Sequence, residues 1–190
     1  MDTPFMDTMA DGLAGAGLRC VRFEFPYMAK RREDGRKRGP DRMPRLLESW
    51  TETLAALDDV TRDAAHPLLI GGKSMGGRAA ATFAANPDLA GPLAGVVCLG
   101  YPFHPPGKPE NTRLEPLARA TRPTLVVQGE RDTLGNREDV AGYALRPPVE
   151  IAWIPDGDHS FVPRKRSGHT PEANLALAVQ SVTDFVARIA

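Results

Sequence analysis

The chain has little cysteine: two residues in 190, Cys20 and Cys98. That excludes a disulfide framework. Both lie in apolar, strand-like runs, so both are expected to be buried thiols in a reducing compartment. No stretch approaches the ~20 apolar residues of a membrane span. The opening M-D-T-P-F-M-D lacks the basic and apolar regions of a signal peptide. The expected location is therefore cytoplasmic, with no membrane partner. Charge of one sign is also missing: Lys+Arg and Asp+Glu both number 24. No global field draws nucleic acid or an anionic surface. Cysteine and histidine do not cluster at metal-ligand spacing, so neither a metal nor another cofactor is expected.

What is present is an ordinary globular composition, 42% hydrophobic and 25% charged. At this length one domain, residues 1–190, is the expectation. The stretch that organises it is L-L-I-G-G-K-S-M-G-G, residues 68–77. A short apolar strand runs into two glycines, then Ser74, then a helix-favouring segment rich in small residues. Strand, sharp turn and helix is the setting of a nucleophile elbow, and Gly72-Lys73-Ser74-Met75-Gly76 fits G-x-S-x-G. The flanking glycines are expected to be steric requirements, because a Cβ would strike the neighbouring strand or helix. Gly72-Lys73-Ser74 also ends the phosphate-cradling G-x-x-x-x-G-K-[ST] loop, but Pro67 stands where that loop needs its first glycine. Lys73 then reads as a structural side chain at the turn.

Around this stretch the pattern alternates. Residues 4–14 read as a helix capped by Thr3, and Leu18 to Phe25 as a strand. The basic run Lys30 to Arg38 reads as an exposed loop, either simply solvated or a rim above the site. It lacks the interleaved aromatics of a single-strand nucleic-acid surface. Asp41 to Val60 is a helix with Trp50 on its apolar face. Strands follow at Leu68–Gly71, Leu93–Gly100, Pro123–Gln128 and Val149–Ile154. Short helices are expected at Leu114–Ala120 and Arg137–Tyr143, and a long amphipathic helix from Pro171. This alternation predicts an α/β fold with a doubly wound, mostly parallel sheet.

Ligands of such sheets bind beyond the carboxyl ends of the strands. Ser74, Asp132 and His159 each follow directly after a predicted strand, so three separate loops bring a hydroxyl, a carboxylate and an imidazole to one edge. A serine hydroxyl needs a base, and His159 is placed to be that base. His66 precedes its strand, and His169 approaches the last helix. The carboxylate that orients the imidazole is Asp132. Asp156 and Asp158 share the loop of His159 and would need an awkward return. The order Ser, Asp, His is that of α/β hydrolases. The Met75 N–H, at the start of the elbow helix, is the candidate oxyanion donor. Tyr101 and His104, in the proline-rich loop after the second of these strands, are the candidate substrate-binding residues.

G-G-K-S-M-G-G-R, G-Y-P-F-H-P-P-G-K-P, L-V-V-Q-G-E-R-D and D-G-D-H-S-F together resemble a compact α/β-hydrolase-like family. It includes the testis-expressed hydrolase-like proteins and an acetyltransferase-complex subunit, and more distantly the dienelactone hydrolases. The resemblance covers most of the chain. It implies Ser74, Asp132 and His159 as nucleophile, acid and base of a serine hydrolase acting on a small-molecule ester or related acyl bond. In that family an H-G-A-G-type loop normally precedes the segment matching Met1 to Met6 and supplies a second oxyanion donor. The expected fold is therefore an N-terminally shortened α/β-hydrolase fold. The likeness to a complex subunit also keeps open a non-catalytic interaction module on the same fold.

Overall fold

The structure is a computed structural model that describes residues 2–57 and 66–189. Proline stands in the first turn of the first three helices, where its missing N–H costs nothing and its fixed φ suits the turn. They are α1 (Pro4–Gly15), α2 (Pro26–Asp34) and α3 (Met43–Ala56). Thr3 caps α1 by accepting from the Met6 N–H at 3.3 Å. Then come β1 (Leu68–Lys73), α4 (Met75–Ala84), β2 (Leu93–Leu99), α5 (Glu115–Ala118) and β3 (Thr124–Gly129). The chain ends with α6 (Arg137–Ala141), β4 (Val149–Ile154) and α7 (Pro171–Ile189).

Among the described residues the strands form one parallel sheet in the order β1-β2-β3-β4. Side chains alternate across a strand, so each strand feeds two cores. In β3, Val126 joins Ile70, Val96 and Phe83 on the face covered by α3 and α4. Its neighbours Leu125 and Val127 join Met9, Val182 and Phe185 on the face covered by α1 and α7. The apolar runs seen in the sequence are continuous because helices cover both faces. Alanine makes α4 fit: Ala79, Ala80, Ala81 and Ala84 are all buried, which lets the helix lie close to β1 and β2. Trp50 is a core residue, with its ring 4.7 Å from Phe23 and edge-on to it.

Two stretches depart from the expectation. Leu18 to Phe25 forms no strand. A strand needs a ladder partner, and among the described residues β1 pairs only with β2. Phe23 and Phe25 nonetheless pack against the core near Trp50. Cys20 is consequently exposed and not a buried thiol, whereas Cys98 is buried as expected. Burial pushes the Cys98 thiol up to about 12. The second departure is the basic run. Its first half is helical: Pro26 starts α2, and Gly35, in the left-handed region at φ 68°, ends it. Exposure was legible in the charges; conformation was not. Arg32 and Arg38 pair with Glu24 and Asp34. The expected helix to Val60 ends at Ala56, and Val60 itself lies outside the described residues.

Candidate active site

Ser74 sits between β1 and α4 with φ 54° and ψ −116°. A non-glycine residue with positive φ is strained by about 1–3 kcal/mol. The turn survives because Gly72 and Gly77, which meet across it, have no side chains. A Cβ on Gly72 would lie 2.9 Å from the Gly76 carbonyl carbon, and one on Gly77 would lie 2.6 Å from the Gly72 oxygen. Gly76 differs: a Cβ there would meet nothing within 4 Å. The turn is fixed from behind by the Ser74 N–H, which donates to the Leu99 carbonyl at 2.9 Å. Met75 begins α4, so its N–H has no acceptor inside the helix.

Asp132 follows β3 and is completely buried. A buried carboxylate must be hydrogen-bonded, and this one is held on both oxygens. Oδ1 accepts from the Leu134 N–H at 2.9 Å. Oδ2 accepts from Gln128 Nε2 at 2.9 Å and pairs with His159 Nδ1 at 2.7 Å. An ionised carboxylate only accepts, so Nδ1 carries the proton and donates, which leaves Nε2 of a neutral ring as the free base. Gln128 was not singled out from the sequence, where it is one polar residue at the end of an apolar strand. Its amide nitrogen also lies 3.0 Å from the Gly135 carbonyl and 3.3 Å from the Tyr101 carbonyl, so two hydrogens are shared among three acceptors, and its oxygen accepts from the Tyr101 N–H at 2.8 Å. It ties the carboxylate to the loop after β2 and to the far end of its own loop.

His159 lies in the loop after β4 with its ring against Gly100. A Cβ on Gly100 would come within 3.3 Å of Nδ1 and 3.4 Å of Cε1. Gly100 directly follows Leu99, whose carbonyl holds Ser74. The serine turn and the imidazole thus abut the same end of β2. Lys73, the residue before Ser74, donates from Nζ to the His159 carbonyl at 2.9 Å and lies 4.9 Å from the centroid of the Phe5 ring. Burial lowers its pKa, opposed by the charges of Asp132 and Asp158. The Ser74 hydroxyl makes no hydrogen bond among the described residues. Bonds of this kind are often long before substrate arrives.

The rival carboxylates are occupied elsewhere. Asp156 pairs with Arg164 and Arg131, and the Arg164 guanidinium brings its carboxyl down to about 2. Asp158 Oδ1 accepts from the Ser160 and Val162 N–H groups. The two residues expected to line a substrate pocket are not at an opening. Tyr101 is fully buried, with its hydroxyl donating to the Arg113 carbonyl at 2.8 Å. His104 is 3% exposed, with ring nitrogens 2.9 Å from the Pro105 carbonyl and 3.3 Å from Asp139. Aromatic and imidazole side chains in a proline-rich loop are large enough to be its core, and here they are. Depressions lined by residues 164–167, and by Glu130, Arg131, Thr133 and Arg137, are bordered by none of Ser74, Asp132 and His159.

A parallel sheet flanked by helices, with a strained serine between strand and helix, is the architecture of the α/β hydrolases. The family model for the alpha/beta hydrolase domain matches residues 1–187, and the chain belongs to that family. Solved structures agree on the fold. A dienelactone hydrolase from Anabaena variabilis is 21% identical with a TM-score of 0.69, covering 99% of this chain and 80% of that one. An esterase from Pyrococcus furiosus is 15% identical with a TM-score of 0.69, over 99% and 76%. An alpha-beta serine hydrolase homologue from Coxiella burnetii is 21% identical with a TM-score of 0.63, over 99% and 76%.

Proposed function

We propose that this protein is a serine hydrolase that cleaves a small-molecule ester or related acyl bond through an acyl-enzyme. The observation that carries the reading is the 2.7 Å contact between His159 and the buried Asp132, at the strand edge where Ser74 is held in a strained turn. Ser74 Oγ attacks the carbonyl carbon while its proton passes to His159 Nε2. The resulting oxyanion is met by the Met75 N–H at the N-terminus of α4. Collapse breaks the bond to the leaving oxygen, which takes the proton from His159. Water then gives a proton to His159 and its oxygen to the acyl carbon. Ser74 departs and recovers its proton. Asp132 keeps the Nδ1–H tautomer in place and stabilises the imidazolium, without itself becoming protonated. Lys73 and Gln128 act through their neighbours: one tethers the His159 backbone and the other the Asp132 carboxylate.

The test is labelling of the purified protein with a fluorophosphonate probe. Labelling that disappears in Ser74→Ala is expected. An unlabelled wild type that folds normally would instead leave a non-catalytic interaction module on the same fold.

A further inference from the structure

Beyond the groups that the proposed mechanism uses, the serine edge carries two arginines with no counter-ion among the described residues. Arg78 lies one turn after the nucleophile on α4, its N–H donating to the Ser74 carbonyl at 3.0 Å. One turn is about 5 Å along the axis, and helical side chains lean toward the N-terminus. Its Cα–Cβ bond therefore tilts toward the serine end. Its Nε is buried and has no hydrogen-bond partner. A guanidinium offers five donors and never loses its charge, so a buried, unsatisfied Nε is costly.

Arg113 precedes α5, which packs on α4. Its backbone is clamped: its N–H donates to the Phe103 carbonyl at 2.7 Å, and its carbonyl accepts from the Tyr101 hydroxyl at 2.8 Å. Tyr101 follows the same Leu99–Gly100 end of β2 that supports Ser74 and His159. Burial lowers the pKa of Arg113, and the nearby positive charge of Arg78 lowers it further. Among the described residues no carboxylate pairs with either arginine. Glu115, the nearest acid along the chain, is engaged with Arg119 at 2.8 Å. Two positive charges are thus carried on segments that pack together, one of them a turn after the nucleophile, and no carboxylate among the described residues pairs with either.

We infer that Arg78 and Arg113 form an oxyanion subsite, so that the substrate is an ester carrying a carboxylate or phosphate group close to the scissile carbonyl. Guanidinium forks match either group. The subsite rests on the serine-hydrolase reading for its role in turnover, but binding can be measured apart from it.

The experiment compares p-nitrophenyl butyrate with mono-p-nitrophenyl glutarate. The wild type is expected to favour the anionic ester in kcat/KM. Arg78→Gln and Arg113→Gln should each lower the anionic-to-neutral ratio about tenfold to a hundredfold. A loss of fold would lower both rates together, so an unchanged ratio in a variant that keeps its rate on the neutral ester overturns the subsite. So does a wild type with no preference for the anionic ester. Calorimetry of Ser74→Ala with monomethyl glutarate provides the readout that needs no turnover. Binding that weakens about tenfold or more when either arginine becomes glutamine supports the subsite even if neither ester is cleaved. No binding, or binding indifferent to the arginines, removes it even if both esters are cleaved through Ser74. Competition by glutarate or by inorganic phosphate decides between the two oxyanions.

Discussion

β1 and β3 both end in candidate site loops, yet they are built differently. β3 is paired on both sides and all six of its residues are buried. β1 is paired with β2 alone among the described residues, and of its six residues only Ile70 is buried. The carboxylate therefore stands on the most restrained part of the sheet, and the serine stands on its less restrained edge. Asp132 is fixed by a buried hydrogen bond from Gln128 and a partly buried one from Leu134. Ser74 is fixed by one backbone bond to Leu99 and by the shape of a glycine turn. A buried ionised group needs its partners kept in place, or its desolvation cost returns. A strained turn needs only that nothing collide with it.

The largest effect should separate the two strands at glycine. In Gly129→Ala the new methyl would strike the Asp158 and Gly157 carbonyls, tying the end of β3 to the His159 loop. In Gly71→Ala it would lie 2.5 Å from the Val97 carbonyl, but β1 has room to shift. Urea unfolding is expected to show a loss of about 3 kcal/mol for Gly129→Ala and about 1 kcal/mol for Gly71→Ala. Equal losses would erase the distinction between the strands.

A smaller effect sharpens the comparison at the two positioning residues. Gln128→Leu removes a donor from Asp132 and leaves the Tyr101 and Gly135 carbonyls short of a partner. Ester turnover should fall about a hundredfold through misplacement of the carboxylate and imidazole. Lys73→Met removes the tether to the His159 carbonyl and the charge beside the Phe5 ring, and a fall of about tenfold is expected, chiefly from the lost charge-assisted hydrogen bond. Steady-state kinetics on one neutral ester measures both.

The smallest effect concerns pH. The Asp156 carboxyl is held down to about 2 by Arg164. A carboxyl lowered in the folded state binds its proton more readily when unfolded. Its contribution is present above the ordinary carboxylate range and is lost as pH falls toward about 2. Thermal unfolding between about pH 5 and pH 2 should decline slightly more steeply for the wild type than for Arg164→Gln; parallel curves would mean that the pair adds nothing.

The placement of much of the candidate site was legible in the sequence. The turn around Ser74 announces itself because glycines, a short apolar strand and small helical residues are local requirements of one tight geometry. Asp132 and His159 were legible because topology sends every loop after a parallel strand to the same edge. Gln128 was not, since a lone amide in an apolar strand gives no hint of what it faces. Tyr101 and His104 misled for the converse reason: large polar side chains in a proline-rich loop suggest a lining, but here they fill the space beneath it.

Sequence alone determined the alternation of elements, the parallel sheet and the order in which a hydroxyl, a carboxylate and an imidazole reach its edge. These follow from hydrophobic period and chain connectivity, which are properties of neighbours along the chain. Only the tertiary structure decided that Leu18 to Phe25 forms no strand, that Cys20 is exposed, that Gln128 grips Asp132, and that Arg78 and Arg113 meet no counter-ion among the described residues. Each of these depends on what lies across space from a residue, and distance along the chain does not encode it.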